Sequence, residues 1–202
     1  MASTRKIVVF DRLSADGYFS AADGALDWAV PDADLDKGAA GKLGDSDTML
    51  FGRRTYDMFE SFWPHVLKDP ATAPDPHNPG RHTPEMRSLA EWINAAKKIV
   101  FSKTRGEVSW TNSELRRDIV PREIEALKAQ PGKTIMLFGS GSVVSRLSEL
   151  GLIDEYQLVV CPVLLGGGRS LVSGMAGRVS LELLEARPFP SGNVMLRFAP
   201  KR

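Results

Sequence analysis

The feature that most narrows the folds open to this chain is an alternation. Short apolar runs recur along it, and stretches with helical spacing lie between them. Ile7-Val8-Val9-Phe10, Thr48-Met49-Leu50-Phe51, Ile99-Val100-Phe101, Thr134-Ile135-Met136-Leu137-Phe138 and residues 156–160 are rich in β-branched and aromatic side chains and are not interleaved with polar ones. That pattern predicts strands covered on both faces. Helical segments are expected at 33–43, 54–62, 84–95, 121–129 and 142–150. Strands and helices in alternation imply an α/β fold with a mostly parallel central sheet and helices on both faces. Near the end, residues 181–186 and 194–198 flank Pro188-Phe189-Pro190-Ser191-Gly192-Asn193, turn chemistry that predicts a C-terminal antiparallel hairpin.

Size and composition agree with one domain over residues 1–202. With 43% hydrophobic and 25% charged residues, the chain can bury a core without disulfides or metals. Residues 64–83 are rich in proline and carry His65, His77 and His82 with little to bury, so a surface loop is expected there. Those histidines lack metal-ligand spacing, and no metal is expected. Lys+Arg of 26 against Asp+Glu of 25 leaves no basic footprint for nucleic acid. Cys161 sits in an apolar run and reads as a small buried hydrophobe. Trp63, Trp92 and Trp110 are expected to pack against the elements around them. The N-terminus lacks the apolar stretch of a signal peptide, and no window approaches 18 apolar residues, so a cytoplasmic protein without a membrane partner is expected.

Four segments carry chemistry. Phe138-Gly139-Ser140-Gly141-Ser142 joins a strand to a helix, where glycines and a helix N-terminus can cradle a phosphate or form a plain turn. The third glycine of a dinucleotide fingerprint is absent, since Val144 occupies its place. Gly52-Arg53-Arg54-Thr55-Tyr56 is a second such junction; its arginines can fork onto phosphate oxygens or remain solvated beside the helix start. Phe101-Ser102-Lys103-Thr104-Arg105 is a third. Three strand ends with Gly, Ser/Thr and Arg/Lys suit a ligand with several phosphates along one sheet edge, and NADPH fits better than NADH. The fourth, Leu13-Ser14-Ala15-Asp16-Gly17-Tyr18, is either an Asp-Gly turn or a loop over a nicotinamide.

In this order and at these distances, the segments resemble the dihydrofolate reductase-like superfamily. They are most similar to stand-alone relatives of the reductase domain of bacterial bifunctional riboflavin-biosynthesis deaminase-reductases. Gly151-Leu152-Ile153-Asp154-Glu155-Tyr156 and Pro162-Val163-Leu164-Leu165-Gly166-Gly167-Gly168-Arg169 add to the resemblance, which spans about residues 5–199. It implies that Gly52, Arg53, Arg54 and Thr55 hold the cofactor's phosphates and that Ser102, Lys103 and Thr104 line the adenosine side. Gly139, Ser140, Gly141 and Ser142 would lie under the pyrophosphate, and Ser14, Asp16 and Gly17 beside the nicotinamide. On the substrate side it points to Asp34 as the acid on the first helix, with Asp32 as the alternative and Trp28 nearby. Gly166, Gly167 and Arg169 would meet a polar or phosphorylated substrate, or simply reverse the chain.

Two departures separate the chain from a housekeeping folate reductase: Gly38-Ala39-Ala40-Gly41 replaces bulky apolar side chains, and the Pro-rich stretch is long. The His-x-Glu and Pro-Cys-x-x-Cys zinc-deaminase signature is also absent. The expected function is an NADPH-dependent reductase delivering hydride to a C=N bond of a pterin-like or pyrimidine-derived small molecule. The 5-amino-6-(5-phosphoribosylamino)uracil reductase type is one form of that chemistry. The alternative is a non-catalytic nucleotide-binding regulator on the same fold. The hairpin's open edge predicts a homodimer.

Overall fold

The computed structural model describes residues 4–68 and 84–201. In chain order the elements are β1 (Ile7–Ser14), β2 (Tyr18–Ser20), α1 (Ala33–Leu43), β3 (Ser46–Gly52), α2 (Arg53–Lys68), α3 (Pro84–Ala95), β4 (Lys97–Phe101) and β5 (Ser113–Arg116). There follow α4 (Pro121–Ala129), β6 (Thr134–Phe138), α5 (Gly141–Glu149), β7 (Glu155–Cys161), β8 (Arg169–Ser170), β9 (Leu181–Pro188) and β10 (Val194–Pro200). Eight strands form one sheet in the order β5-β4-β3-β6-β1-β7-β10-β9, and β2 pairs with β8 in a separate two-stranded ribbon. From β5 to β7 every pairing is parallel. β10 runs antiparallel to both β7 and β9, which is the expected hairpin.

The apolar runs divide their side chains between two cores, because successive residues of a strand face opposite sides of the sheet. Ile7, Val9, Leu50, Ile99, Ile135 and Leu137 face one side, where Ile124 and Leu127 of α4 and Val143, Val144 and Leu147 of α5 cover them. Val8, Met49, Phe51, Val100 and Met136 face the other, under Tyr56 of α2 and Ile93 of α3. Leu35 of α1 packs on that same side of the sheet, against Val159, Cys161 and Met195 with Phe10 beside them. Helices therefore leave neighbouring strands in opposite directions: β3 runs into α2 on one face, and β6 runs into α5 on the other. A crevice opens where the connections part, at the carboxyl ends of β3 and β6.

Three features differ from the sequence expectations. The second helix does not stop at Phe62 but continues through Pro64 to Lys68. Proline removes one helical hydrogen bond, but Phe62 and Val66 are buried against Ala90 of α3 on either side of it, and that packing holds the turn. Thus residues 64–68, including exposed His65, are helical, while residues 69–83, with His77 and His82, lie outside the described residues. β5 and the β2–β8 ribbon were also not anticipated. They are short and half polar, so neither shows the apolar run that marks the central strands. Among the described residues no helix is long and apolar enough to cross a membrane.

Candidate active site

The Gly139-Ser140 turn organises the crevice. Both residues are left-handed, with φ of 51° and 60°, and their polar groups bond to β1, to the end of β3 and to the first turn of α2. The Gly139 amide donates to Asp11 Oδ1 of β1 at 2.7 Å. The Ser140 amide donates to Thr55 Oγ1 of α2 at 3.0 Å, and Ser140 Oγ accepts the Gly52 amide at 2.8 Å. A Cβ on Gly139 would lie 2.9 Å from Thr55 Oγ1, so the glycine is demanded by this cross-linking rather than by a ligand. Ser140 is a non-glycine residue held at positive φ, the kind of strain that surrounding structure must over-determine. Its hydroxyl caps nothing in α5 because it serves β3 instead.

The turn's first two amides are therefore occupied by protein. The donors left for an anion come one step later: the Gly141 and Ser142 amides at the start of α5 make no hydrogen bond to another described residue. Around them opens a cleft of about 1410 Å³, walled by Gly52, Arg53, Arg54 and Thr55, by Ser102 and Thr104, and by Gly139 to Ser142. Trp28 and Arg169 line it as well. Arg53 and Arg54 are exposed, and like Arg169 they make no ion pair among the described residues. Unpaired guanidiniums beside free helix-terminal amides favour phosphate oxygens.

Other expected site residues lie outside this cleft. Lys103 pairs with Asp118 at 3.1 Å, and Ser102 Oγ accepts the Thr104 and Arg105 amides in a local turn; only Ser102 and Thr104 of that trio reach the wall. Ser14 Oγ donates to Asp16 at 2.6 Å and accepts the Tyr18 amide. Asp16 also accepts the Leu165 and Gly166 amides at 3.1 and 2.7 Å, and these bonds, the Ser14 one foremost, hold its carboxyl below the ordinary carboxylate range. Ser14, Asp16, Gly17, Gly166 and Gly167 thus form a clamp between the β1–β2 turn and the glycine-rich loop that leads to Arg169. Asp32 accepts the Leu35 amide at 2.9 Å as the N-cap of α1. Bonds from Ser191 and then Leu35 lower its carboxyl. Asp34 is exposed and lines a separate cavity of about 50 Å³, with Gly38; the side chains of Ala39 and Ala40 lie outside the described residues.

The cleft also holds Asp11, which was not among the expected site residues. Asp11 is 8% exposed and lines the cleft floor beside Phe10, Phe138 and Trp28. Its Oδ2 is buried with no partner. Burial pushes its carboxyl well above the usual carboxylate range, and the Gly139 amide pulls weakly the other way. The sequence signal was a carboxylate directly after the buried run Ile7-Val8-Val9-Phe10, at a position the strand pattern assigned to no element.

Residues 5–195 match the RibD C-terminal domain family. The chain belongs to that family. An uncharacterized protein, YyaP, of Bacillus subtilis is 31% identical over 192 residues, covering 95% of this chain and 93% of its own. A proposed riboflavin biosynthesis protein from Shewanella sp. PV-4 superposes with a TM-score of 0.73 at 23% identity, over 98% of this chain and 99% of that one. Dihydrofolate reductase from Enterococcus faecalis, solved with NADP(H), superposes with a TM-score of 0.60 at 12% identity, over 98% and 97%. The fold is therefore dihydrofolate reductase-like, as the sequence motifs implied. A dinucleotide with a ribose phosphate fits the cleft's donor set: Arg53, Arg54 and the Gly141 and Ser142 amides are the groups that would hold its phosphates.

Proposed function

We propose that this chain is an NADPH-dependent reductase that delivers hydride to a C=N bond of a pterin-like or pyrimidine-derived substrate, working as a homodimer. One observation carries the reading: Arg53 and Arg54, free of ion pairs, stand at the start of α2, across the crevice from the free amides that open α5. A second phosphate beyond the pyrophosphate would give both arginines a partner, which is the difference between NADPH and NADH. Membership of the RibD C-terminal domain family supports reductase chemistry. The cofactor supplies the hydride; the protein's task is to fix a planar substrate against it and exclude water. Trp28, Phe10 and Phe138 offer flat apolar surface for that purpose, and Arg169 a cation for a polar substituent.

The test is NADPH oxidation, followed by its absorbance, across a panel of dihydropterins and ribosylaminopyrimidines with and without a phosphate. Oxidation that depends on one substrate class supports the reading. NADPH binding with no oxidation across the panel supports the non-catalytic regulator instead.

A further inference from the structure

We propose that Asp11 is held as a neutral carboxylic acid at the cleft floor, where it is the hydrogen-bond donor that recognises an acceptor atom on a planar heterocycle. The inference rests on the dinucleotide-cleft reading and adds the chemistry of the ligand's ring end.

The geometry comes first. Asp11 Oδ1 is committed to the Gly139 amide at 2.7 Å, and Oδ2 has no partner while buried from water. An ionised oxygen there would be a buried charge with a single hydrogen bond on the other atom, which is costly; a proton removes the charge. That proton then needs an acceptor. None is offered by the described residues, yet the residue forms part of the cleft wall. The Cβ–Cγ torsion of aspartate is broad, so a small turn directs the Oδ2 proton toward the cleft while Oδ1 keeps the Gly139 amide. The upward push on its carboxyl from burial acts in the same direction.

The neighbourhood says what kind of molecule meets the acid. Phe10 and Phe138 lie edge to face with ring centroids 6.2 Å apart, Phe59 stands 5.7 Å from Phe138, and Trp28 completes an aromatic wall. Among the described residues Asp11 has no ion pair, and the cleft arginines without one are Arg53 and Arg54 of α2 and Arg169 of β8. A flat, uncharged ring with a carbonyl or ring-nitrogen acceptor suits such a place. Two sources share that chemistry, the nicotinamide carboxamide and a pterin or pyrimidine ring.

Three chains are compared by calorimetry at neutral pH: the unaltered protein, Asp11→Asn and Asp11→Leu. The probes are NADPH, 2′-phospho-ADP-ribose, 7,8-dihydrobiopterin and uracil. Asparagine keeps both a donor and an acceptor, and leucine keeps neither. Asp11→Leu is expected to weaken a ring-bearing probe about tenfold, the loss of one buried hydrogen bond, and to weaken 2′-phospho-ADP-ribose far less, through the Gly139 amide that loses its acceptor. Asp11→Asn should stay within about twofold of the unaltered protein. Loss confined to NADPH assigns the nicotinamide as the source of the acceptor, and loss confined to dihydrobiopterin or uracil assigns the substrate ring.

2′-Phospho-ADP-ribose binding kept by Asp11→Leu also shows that this variant retains its fold and cleft. Infrared difference spectra of the unaltered protein against Asp11→Asn supply a readout free of ligand: a protonated-carboxyl C=O band that Asp11→Asn lacks is expected. A carboxylate band in its place overturns the proposal, as does a ten-fold loss on Asp11→Asn, full ring binding by Asp11→Leu, or no ring binding to the unaltered protein while 2′-phospho-ADP-ribose binds. Failure of 2′-phospho-ADP-ribose to bind the unaltered protein overturns the dinucleotide reading itself.

Discussion

Lys98 shows how a charged side chain is fixed inside this fold. It is fully buried, and its ammonium donates to the Asn94, Ala96 and Thr111 carbonyls at 3.0, 2.8 and 3.1 Å. It also lies 4.4 Å from the centre of the Trp110 ring. Burial pulls its pKa from 10.5 down to about 8. Between those values the unfolded chain holds a proton that the folded chain has released, so stability attributable to this group rises with pH over that window. Urea melts from pH 7.5 to 10.5 should show the unaltered protein gaining on Lys98→Met as pH increases; parallel curves would contradict the assignment.

A second expectation at this scale concerns Asp32. Its role as the N-cap of α1 predicts that Asp32→Ala costs about 1 kcal/mol of stability in denaturant melts while NADPH affinity is unchanged. The sequence reading saw both Asp32 and Asp34 as acids at a helix start, since type and spacing alone do not tell a cap from a catalytic group. Asp11 was legible only as a charged residue closing an apolar run. Its burial depends on β6 and β7 pairing on either side of β1, a tertiary fact that no local pattern carries.

At the scale of elements, the three C-terminal strands of the sheet are cross-linked by one cation. Arg197 of β10 bonds Glu155 of β7 at 2.7 Å and Glu185 of β9 at 2.9 Å. Burial alone would raise the Glu155 carboxyl, but the bonds from Arg197 and Gln157 win and hold it below its ordinary value. The stability it contributes is therefore present above the unfolded value of 4.5 and lost as pH falls through the lower folded value. Arg197→Gln should destabilise by about 1–3 kcal/mol at pH 7, the pair being partly screened by solvent. The deficit should hold down to about pH 4.5 and shrink only below it, and a deficit that stays constant below that value would place the stabilisation elsewhere.

The central strands were readable because they are apolar on both faces, and the helices between them because their apolar residues recur at helical spacing. The β2–β8 ribbon was not readable. Its two- and three-residue strands pair Tyr18 with Ser170 and Ser20 with Arg169, beside Gly168, where a Cβ would fall 2.3 Å from the Ser20 carbonyl oxygen. Likewise α2 runs past Pro64 because α3 packs against it, which outweighs the local signal to stop.

For the whole molecule, the order of strands does most to create the site. Placing β6 between β3 and β1 brings Gly139 within hydrogen-bonding reach of Asp11 and Ser140 within reach of Thr55, residues 128 and 85 positions away. The three junction motifs and their meeting along one sheet edge were legible in the sequence, but the order of the strands that sets which residues touch was not. At the opposite side of the molecule, β9 leaves an open sheet edge with Leu183 and Leu184 54% and 49% exposed. Such an edge invites strand pairing with a second copy. Light scattering at micromolar concentration should report a dimer, and Leu183→Lys with Leu184→Lys should give a monomer; a monomeric unaltered protein would contradict the pairing.

The proposed dinucleotide with an extra ribose phosphate would lie in the crevice between β3 and β6, against Arg53 and Arg54. The most direct measurement is calorimetric binding of NADPH and NADH to the unaltered protein and to the Arg53→Ala/Arg54→Ala double variant. Tighter binding of NADPH by about tenfold or more is expected, the scale of a charge-assisted contact of about 1.5–3 kcal/mol, with loss of that preference in the variant. Equal affinity for the two cofactors in the unaltered protein, or a preference that survives without both arginines, would contradict it.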